Sequence, residues 1–337
     1  MTVPARARRK GTEEAMPGTP ASRHAEHVYA VLSDQASAAQ SAVAASWSRS
    51  LHRYGLDPER RRPPSRLAQA EFERACRRAG SLLCLSQEVL DRLFQAVGDL
   101  GCCVVLSDPD GVPLDRRGKP GDDAGFQALG LWTGMVWSEQ SEGTNGIGTA
   151  LAEGRPLTIH RNQHFLARNI GLSCIAAPVW DAQGRLAGAL DVSSYREDLT
   201  PGMLKLIAAA IGDAAARIEA RQFRETYREA RILLAPDGAG GAPGLIAVDR
   251  EDLVVGASRA ARQNLGLTEE RLSRPLPASD LLARDTAPGD DLAGAERGVI
   301  LRALSRAGGN ISAAAKLLGI SRATLHRKLV RLETARD

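Results

Sequence analysis

Asn310-Ile-Ser-Ala-Ala-Ala-Lys-Leu-Leu-Gly319-Ile-Ser321-Arg-Ala-Thr324-Leu-His-Arg-Lys328-Leu carries the boundary signals of two short helices joined by a tight turn. Ser312 is expected to cap the first of these, since its hydroxyl can accept an orphan backbone N–H at a helix start. Ala314, Ala315 and Leu318 then fall on one inward face. Gly319 supplies the left-handed residue that a sharp helix-to-helix turn needs. Ser321 is placed to cap the next helix, where Leu325, Leu329 and Leu332 form an apolar stripe at helical spacing. Just upstream, Val299, Ile300, Leu301 and Leu304 lie near one face of a third helix, which Gly308-Gly309 stops.

The other face of the last helix holds Arg322, Thr324, His326, Arg327, Lys328 and Arg331. An apolar anchor behind a cationic surface is the layout of a helix that enters the DNA major groove. Ser321, at its start, joins these six as the expected contacts to double-stranded DNA. Charge agrees. From Asp291 onward nine basic residues face four acidic ones, a net of +5, whereas the chain as a whole is +4. The positive charge is therefore concentrated where phosphates would lie. The stretch Asn310–Leu329, with the helix before it, resembles the Fis-type helix-turn-helix that ends many bacterial enhancer-binding activators. The resemblance implies a homodimer reading a near-palindromic site.

With 43% hydrophobic and 25% charged residues, the 337-residue chain suits a soluble protein of two or three domains. No apolar run is long enough to span a bilayer, and no apolar stretch follows the basic Met1–Lys10, so neither a membrane anchor nor a secretory signal is expected. The cysteines are Cys76, Cys84, Cys102, Cys103 and Cys174, an odd number without a C-x-x-C pair, which argues against a zinc site or a disulfide scaffold. Buried thiols in a reducing cytoplasm fit that pattern. Cys102 and Cys103 sit in an apolar strand and should face opposite ways.

Residues 1–25 are polar and Pro/Gly-rich, the composition of a disordered tail. Residues 26–98 read as a helical lead. Trp47, Leu51 and Tyr54 share a face, and Gly55-Leu-Asp57-Pro58 ends that run. Residues 99–234 read as an α+β domain: a strand at 101–107, a hairpin of Ile175–Trp180 with Leu186–Ser193, and a long amphipathic helix after Thr200-Pro201 that persists to about Leu234. Residues 235–290 read as linkers around a strand at 245–249, an extended piece from Leu253 and a helix from Ser258 to Leu265. The remaining residues, 291–337, hold the three short helices.

Trp137-Ser-Glu-Gln-Ser-Glu-Gly143-Thr-Asn145-Gly-Ile-Gly148-Thr-Ala-Leu151 resembles the signature of GAF sensor domains in activators of acetoin and glycerol catabolism. His164-Phe, Ser173-Cys-Ile-Ala-Ala-Pro178-Val and Gly188-Ala-Leu-Asp191-Val-Ser look like that group as well, and Ser46-Trp47-Ser-Arg49-Ser resembles its N-terminal lead. The segment from Gly244 to Ala261 looks like the opening of a PAS domain, too short for a complete one. The resemblance implies an antiparallel sheet flanked by helices, with a small-molecule pocket near Trp132, Trp137, Asn145, His164 and Asp191. Such activators carry a central ATPase domain between sensor and DNA reader. Here no G-x-x-x-x-G-K-[ST] loop is present, so ATP-driven activation is not transferred.

Other chemistry is weakly signalled. Gly143–Gly148 is read as a tight loop entering a helix at 147–152 rather than a nucleotide cradle. His160 ends a strand, so it does not share a helical face with His164, and no metal or other cofactor is expected. No G-x-S-x-G elbow points to a hydrolase. The leading expectation is a cytoplasmic, non-enzymatic, sequence-specific regulator of transcription that responds to a small-molecule effector and contacts RNA polymerase or a full-length activator. One alternative is an architectural DNA-binding protein, or partner of such an activator, with a vestigial sensor. Another is a GAF-type enzyme such as a free methionine-sulfoxide reductase, whose cysteine pair would fall to Cys84 and Cys102.

Overall fold

The computed structural model describes residues 19–33, 41–235, 243–282, 296, 299–300, 303–304 and 307–334, the side chains of 331–334 excepted. They fall into two compact units, residues 1–281 and 282–337. Most of the expected tail, residues 1–18, and most of the expected second linker lie outside the described residues.

The first unit is built on five antiparallel strands: β1 (Cys102–Ser107), β2 (Pro113–Arg117), β3 (Leu157–His160), β4 (Ser173–Trp180) and β5 (Leu186–Ser194), in the order β2-β1-β5-β4-β3. The hairpin read at 175–193 is present as β4 and β5, closed over Asp181, whose carboxylate accepts from the N–H groups of Gln183 and Arg185. Alternation along the strands divides the side chains between two cores. Cys102, Val104, Leu106, Ile175 and Val192 face the helices Gly80–Val97 and Pro201–Thr226, meeting Leu90, Leu93, Ile207, Ile211 and Ile218. Cys103, Val105, Cys174 and Ala189 face the other way, onto Phe126, Leu131, Trp137 and Ile147. Cys102 and Cys103 thus part as expected. Cys84 does not follow the buried-thiol reading, for it is exposed on the solvent side of its helix.

Three boundaries differ from the sequence reading. The helix Gly80–Val97, grouped above with the helical lead, covers the sheet and belongs to its core. Helix also begins earlier than the tail reading allowed, at Pro20. The long helix stops at Thr226 instead of about Leu234, and Arg231–Leu234 forms a strand, β6. Its apolar residues fit helix or strand by spacing alone. Pairing decides: β6 lies antiparallel to β7 (Leu245–Val248), which pairs with β8 (Val254–Ala257). Phe223, Tyr227, Ile232 and Ala247 pack together beneath that second sheet, and the helix Arg259–Leu265 follows it.

The lead helices Pro20–Ser33 and Ala42–Ser48 dock on the loop after β3. Val28, Trp47, Leu56, Phe165 and Leu166 form their core, and the Trp47 indole donates to the Gln163 carbonyl at 2.8 Å. In the second unit Ile300, Ala303, Ala314, Ala315 and Leu325 form the core, with Leu304, Leu318 and Leu329 against it. Val299 is exposed, because it sits one step off the inward face that Ile300 and Ala303 define.

Candidate functional site

The helix Ile311–Leu317 is capped by Asn310, whose Oδ1 accepts from the N–H groups of Ser312 and Ala313 at 3.0 and 3.1 Å. Ser312, the expected cap, lies inside the helix. Asn310 keeps the extended backbone that a cap requires and reaches two orphan donors at once. Gly308, Gly309 and Gly319 all have positive φ, at the two turns predicted for them. Ser321 caps the last helix, Arg322–Thr334, by accepting from Thr324 N–H at 3.1 Å. Leu325 anchors that helix fully buried. Arg322, His326 and Arg327 are exposed on its far side, and Thr324 is half-buried. Lys328, nominated with them, is half-buried and paired with Glu296. Arg331 lies on the same helix, and its side chain is outside the described residues. Asn310→Ala is expected to cost about 1 kcal/mol of local helix stability, visible as faster amide exchange over 311–318 in the intact protein.

The sensor residues gather on the sheet face opposite the two covering helices. Asn145 caps the helix Gly146–Glu153: its Oδ1 accepts from Gly148 N–H, and its Nδ2 donates to the Gly143 carbonyl, each at 2.8 Å. Gly143 has φ of 63°, as the tight loop needs. Gly146 serves a different purpose. A Cβ there would stand 2.6 Å from Cys174 Cβ and collide with Asp191 Oδ1, so glycine lets the helix start press onto the sheet. Asp191 is fully buried, and burial pushes its carboxyl up to about 7. Its Oδ2 meets Ser193 Oγ at 2.6 Å, Ser193 Oγ meets Cys174 Sγ at 3.0 Å, and Cys174 Sγ meets His164 Nε2 at 3.4 Å. His164 Nδ1 donates to the Arg161 carbonyl at 2.9 Å, and burial lowers this imidazole to about 4. Asp191, Ser193, Cys174 and His164 thus form one hydrogen-bonded row, in which Ser193 Oγ donates to Asp191 Oδ2 and the imidazole ends on a backbone oxygen.

Asp191 Oδ1 is buried without a partner, and so are Nε and Nη2 of Arg116. Sequence reasoning passed over Arg116. It stands in a cross-strand row, Arg116–Val105–Asp191–Ala176, that runs from β2 across β1 and β5 to β4. Its Nη1 donates to Asp123 at 2.7 Å, and its guanidinium lies over Trp132, 4.3 Å from the ring centre. Orphaned donors and an acceptor on one sheet face are what a polar small molecule would satisfy. Trp137 is placed otherwise. It is buried in the core with its indole donating to the Gly130 carbonyl at 2.8 Å, and so acts in packing. His160 bonds Ser173 and does not join His164.

Asp191 gives a pH signature. Its folded value lies above the ordinary carboxylate value, so its stabilising contribution is complete below about 4 and is lost as pH rises towards 7. His164, lowered by burial, acts oppositely, costing stability as pH falls from 6.5 towards 4. Asp191→Asn is expected to remove the Asp191 share of the loss above pH 4, leaving that of Glu219, which burial also raises to about 7, and leaving the acid-side loss in place. Melting temperatures of wild type and variant, measured from pH 4 to 8, check this by their difference.

The signature segment also carries two carboxylates that the sequence reading left unassigned. Glu139 is buried, held by Arg49 through two hydrogen bonds of 2.9 and 3.1 Å and by Ser46. Arg49 also pairs with Glu153 at 2.7 Å. Glu142 is fully buried between Arg168 and Arg60. These pairs tie the lead and the loop after β3 to the sensor.

Comparison with known proteins agrees with this geometry. The GAF domain model matches residues 81–218, and the model of the bacterial regulatory protein, Fis family, matches 292–332. The acetoin catabolism regulatory protein of Cupriavidus necator is 35% identical over 237 residues, covering 69% of this chain and 35% of that protein. The acetoin dehydrogenase operon transcriptional activator AcoR of Bacillus subtilis is 29% identical over 223 residues, 66% of this chain and 36% of AcoR. The chain thus spans about a third of the length of the curated relatives it matches. The structure of the E. coli DhaR(N)–DhaL complex superposes with a TM-score of 0.50 at 22% identity, over 78% of this chain and 86% of that one, which shows a shared fold. The chain carries a GAF domain and a Fis-type helix-turn-helix, and over the part it shares with them it is homologous to regulatory proteins of acetoin catabolism.

Proposed function

We propose that this protein is a sequence-specific DNA-binding regulator of transcription whose GAF domain responds to a small molecule without ATP hydrolysis. One observation carries the reading: a Ser321-capped helix, anchored by buried Leu325, that presents Arg322, His326 and Arg327 to solvent. The printed functions of the relatives, operon regulation and transcriptional activation, support it. Residues 219–291 separate the two matched segments, and no triphosphate-binding loop occurs in the sequence. Control then acts through DNA affinity or contact with another protein, RNA polymerase or a full-length activator. The effector site is the sheet face of Arg116, Trp132, His164 and Asp191, with Asn145 shaping its rim. Among the described residues no helix is long and apolar enough to cross a membrane, and no group of metal-ligating side chains is assembled. A cytoplasmic, non-enzymatic homodimer with half-sites about 34 Å apart fits the motif.

The test selects duplexes from a random pool with the full chain, then measures operator affinity with and without candidate metabolites. Selection of a palindromic sequence, with affinity that moves when a sensor-bound metabolite is added, is the expected result. An effector must bind two sensor states unequally to shift anything. Recovery of no preferred sequence would sink the sequence-specific reading and favour an architectural role.

A further inference from the structure

We infer that the cleft between β4, the long helix Pro201–Thr226 and the helix Arg259–Leu265 is a second binding site, for a small organic carboxylate with a flat apolar body. The cleft is open to solvent, has a volume of about 410 Å³ and lies within the first unit. That is within the size range of small-molecule sites. It opens on the side of the sheet that bears Ala177, opposite the face that holds Asp191 and His164.

Its polar groups converge over an apolar floor. Ala177, Ala215 and Ala216 form the floor, and Trp180 forms a wall. The Arg259 guanidinium carbon lies over the Trp180 ring, 3.4 Å from its centre. The ring holds the guanidinium in the cleft, and among the described residues Arg259 has no salt bridge within 4.0 Å, Glu219 being the opposite charge that acts on it. Arg155, paired with Glu153 at 3.6 Å, also lines the cleft. Glu219 uses Oε1 to accept the Trp180 backbone N–H at 3.1 Å. Burial raises its carboxyl to about 7, so near neutrality it can share a proton with an incoming carboxylate instead of repelling it. The Arg259 guanidinium, which has no salt bridge among the described residues, a protonatable carboxyl and an aromatic wall suit a monoanion with a planar apolar body better than a cation or a polyol. Occupancy would clamp the helix Arg259–Leu265, which follows the second sheet, onto β4 and the long helix.

The experiment titrates 4-fluorobenzoate into the full chain and follows its fluorine resonance, with 4-fluorobenzyl alcohol and 4-fluorobenzylammonium as probes of matching size. The carboxylate is expected to bind at about millimolar concentration or tighter, with the other two at least tenfold weaker. Arg259→Gln should weaken it about tenfold or more. Gly212→Leu should abolish it, because Gly212 lines the cleft and a Cβ there meets nothing within 4 Å, so the added side chain fills the space. Asp191→Asn should leave it unchanged. Absence of binding at about 10 mM, equal binding of all three probes, indifference to both cleft variants, or loss in Asp191→Asn would overturn the assignment. Operator binding can survive each of these outcomes, so failure here is distinguishable from failure of the regulator reading.

Discussion

The double variant Arg322→Ala/Arg327→Ala is expected to lose about a hundredfold or more of its operator affinity while keeping its melting temperature. Each side chain is exposed on the outer face of the last helix, so its removal opens no cavity and unpairs no buried group. A base-edge contact by arginine contributes roughly 1–3 kcal/mol, and two such contacts acting together give the stated loss. A contact to phosphate alone would weaken all sequences alike and lower the salt slope by about 0.9 for each residue. Anisotropy titrations on operator and scrambled duplex over a range of salt separate these cases. Lys328 is left in place because it is paired with Glu296, and replacing it would mix a folding defect with a binding one. Unchanged affinity of the double variant for operator would remove the last helix from the DNA interface.

Local chemistry explains what could be read in advance. The turns at Gly308-Gly309 and Gly319 and the cap at Ser321 are decided within three or four residues, and the structure has each where the sequence put it. The cap at Asn310 was missed by two positions, since both Asn310 and Ser312 carry a suitable oxygen and only backbone conformation separates them. Segments decided by distant pairing were less legible. Arg231–Leu234 continues a helical apolar pattern, yet β7 claims it as a strand. The same holds in the sensor. Asn145, His164 and Asp191 were nominated through family likeness, whereas Arg116 is a charged residue on an edge strand, with nothing local to mark it as buried. The link from Asp191 to His164 runs through Ser193 and Cys174, on two strands whose register no short-range pattern fixes.

Glu139 and Glu142 show the same limit and lead to the second large effect. Nothing within Ser138-Glu139-Gln140-Ser141-Glu142 itself marks either carboxylate as buried. In the fold both carboxylates are buried, because Arg49, Arg60 and Arg168 arrive from segments 26 to 90 residues away. Arg49→Met is expected to destabilise the sensor by about 3–5 kcal/mol, since it strands the buried Glu139 charge, which keeps only the Ser46 hydroxyl, and leaves Glu153 with Arg155 alone. For a domain of this size that corresponds to a fall of roughly 10 °C in melting temperature. The loss should be accompanied by release of the lead, read as faster amide exchange across 42–53, where Trp47 otherwise stays packed against Phe165 and Leu166. Adding Glu139→Gln to Arg49→Met should recover part of the stability, because the stranded charge is then gone. If the double variant is as unstable as the single one, the cost comes from lost packing of the arginine stem and the buried ion pair is not what holds the lead to the sensor.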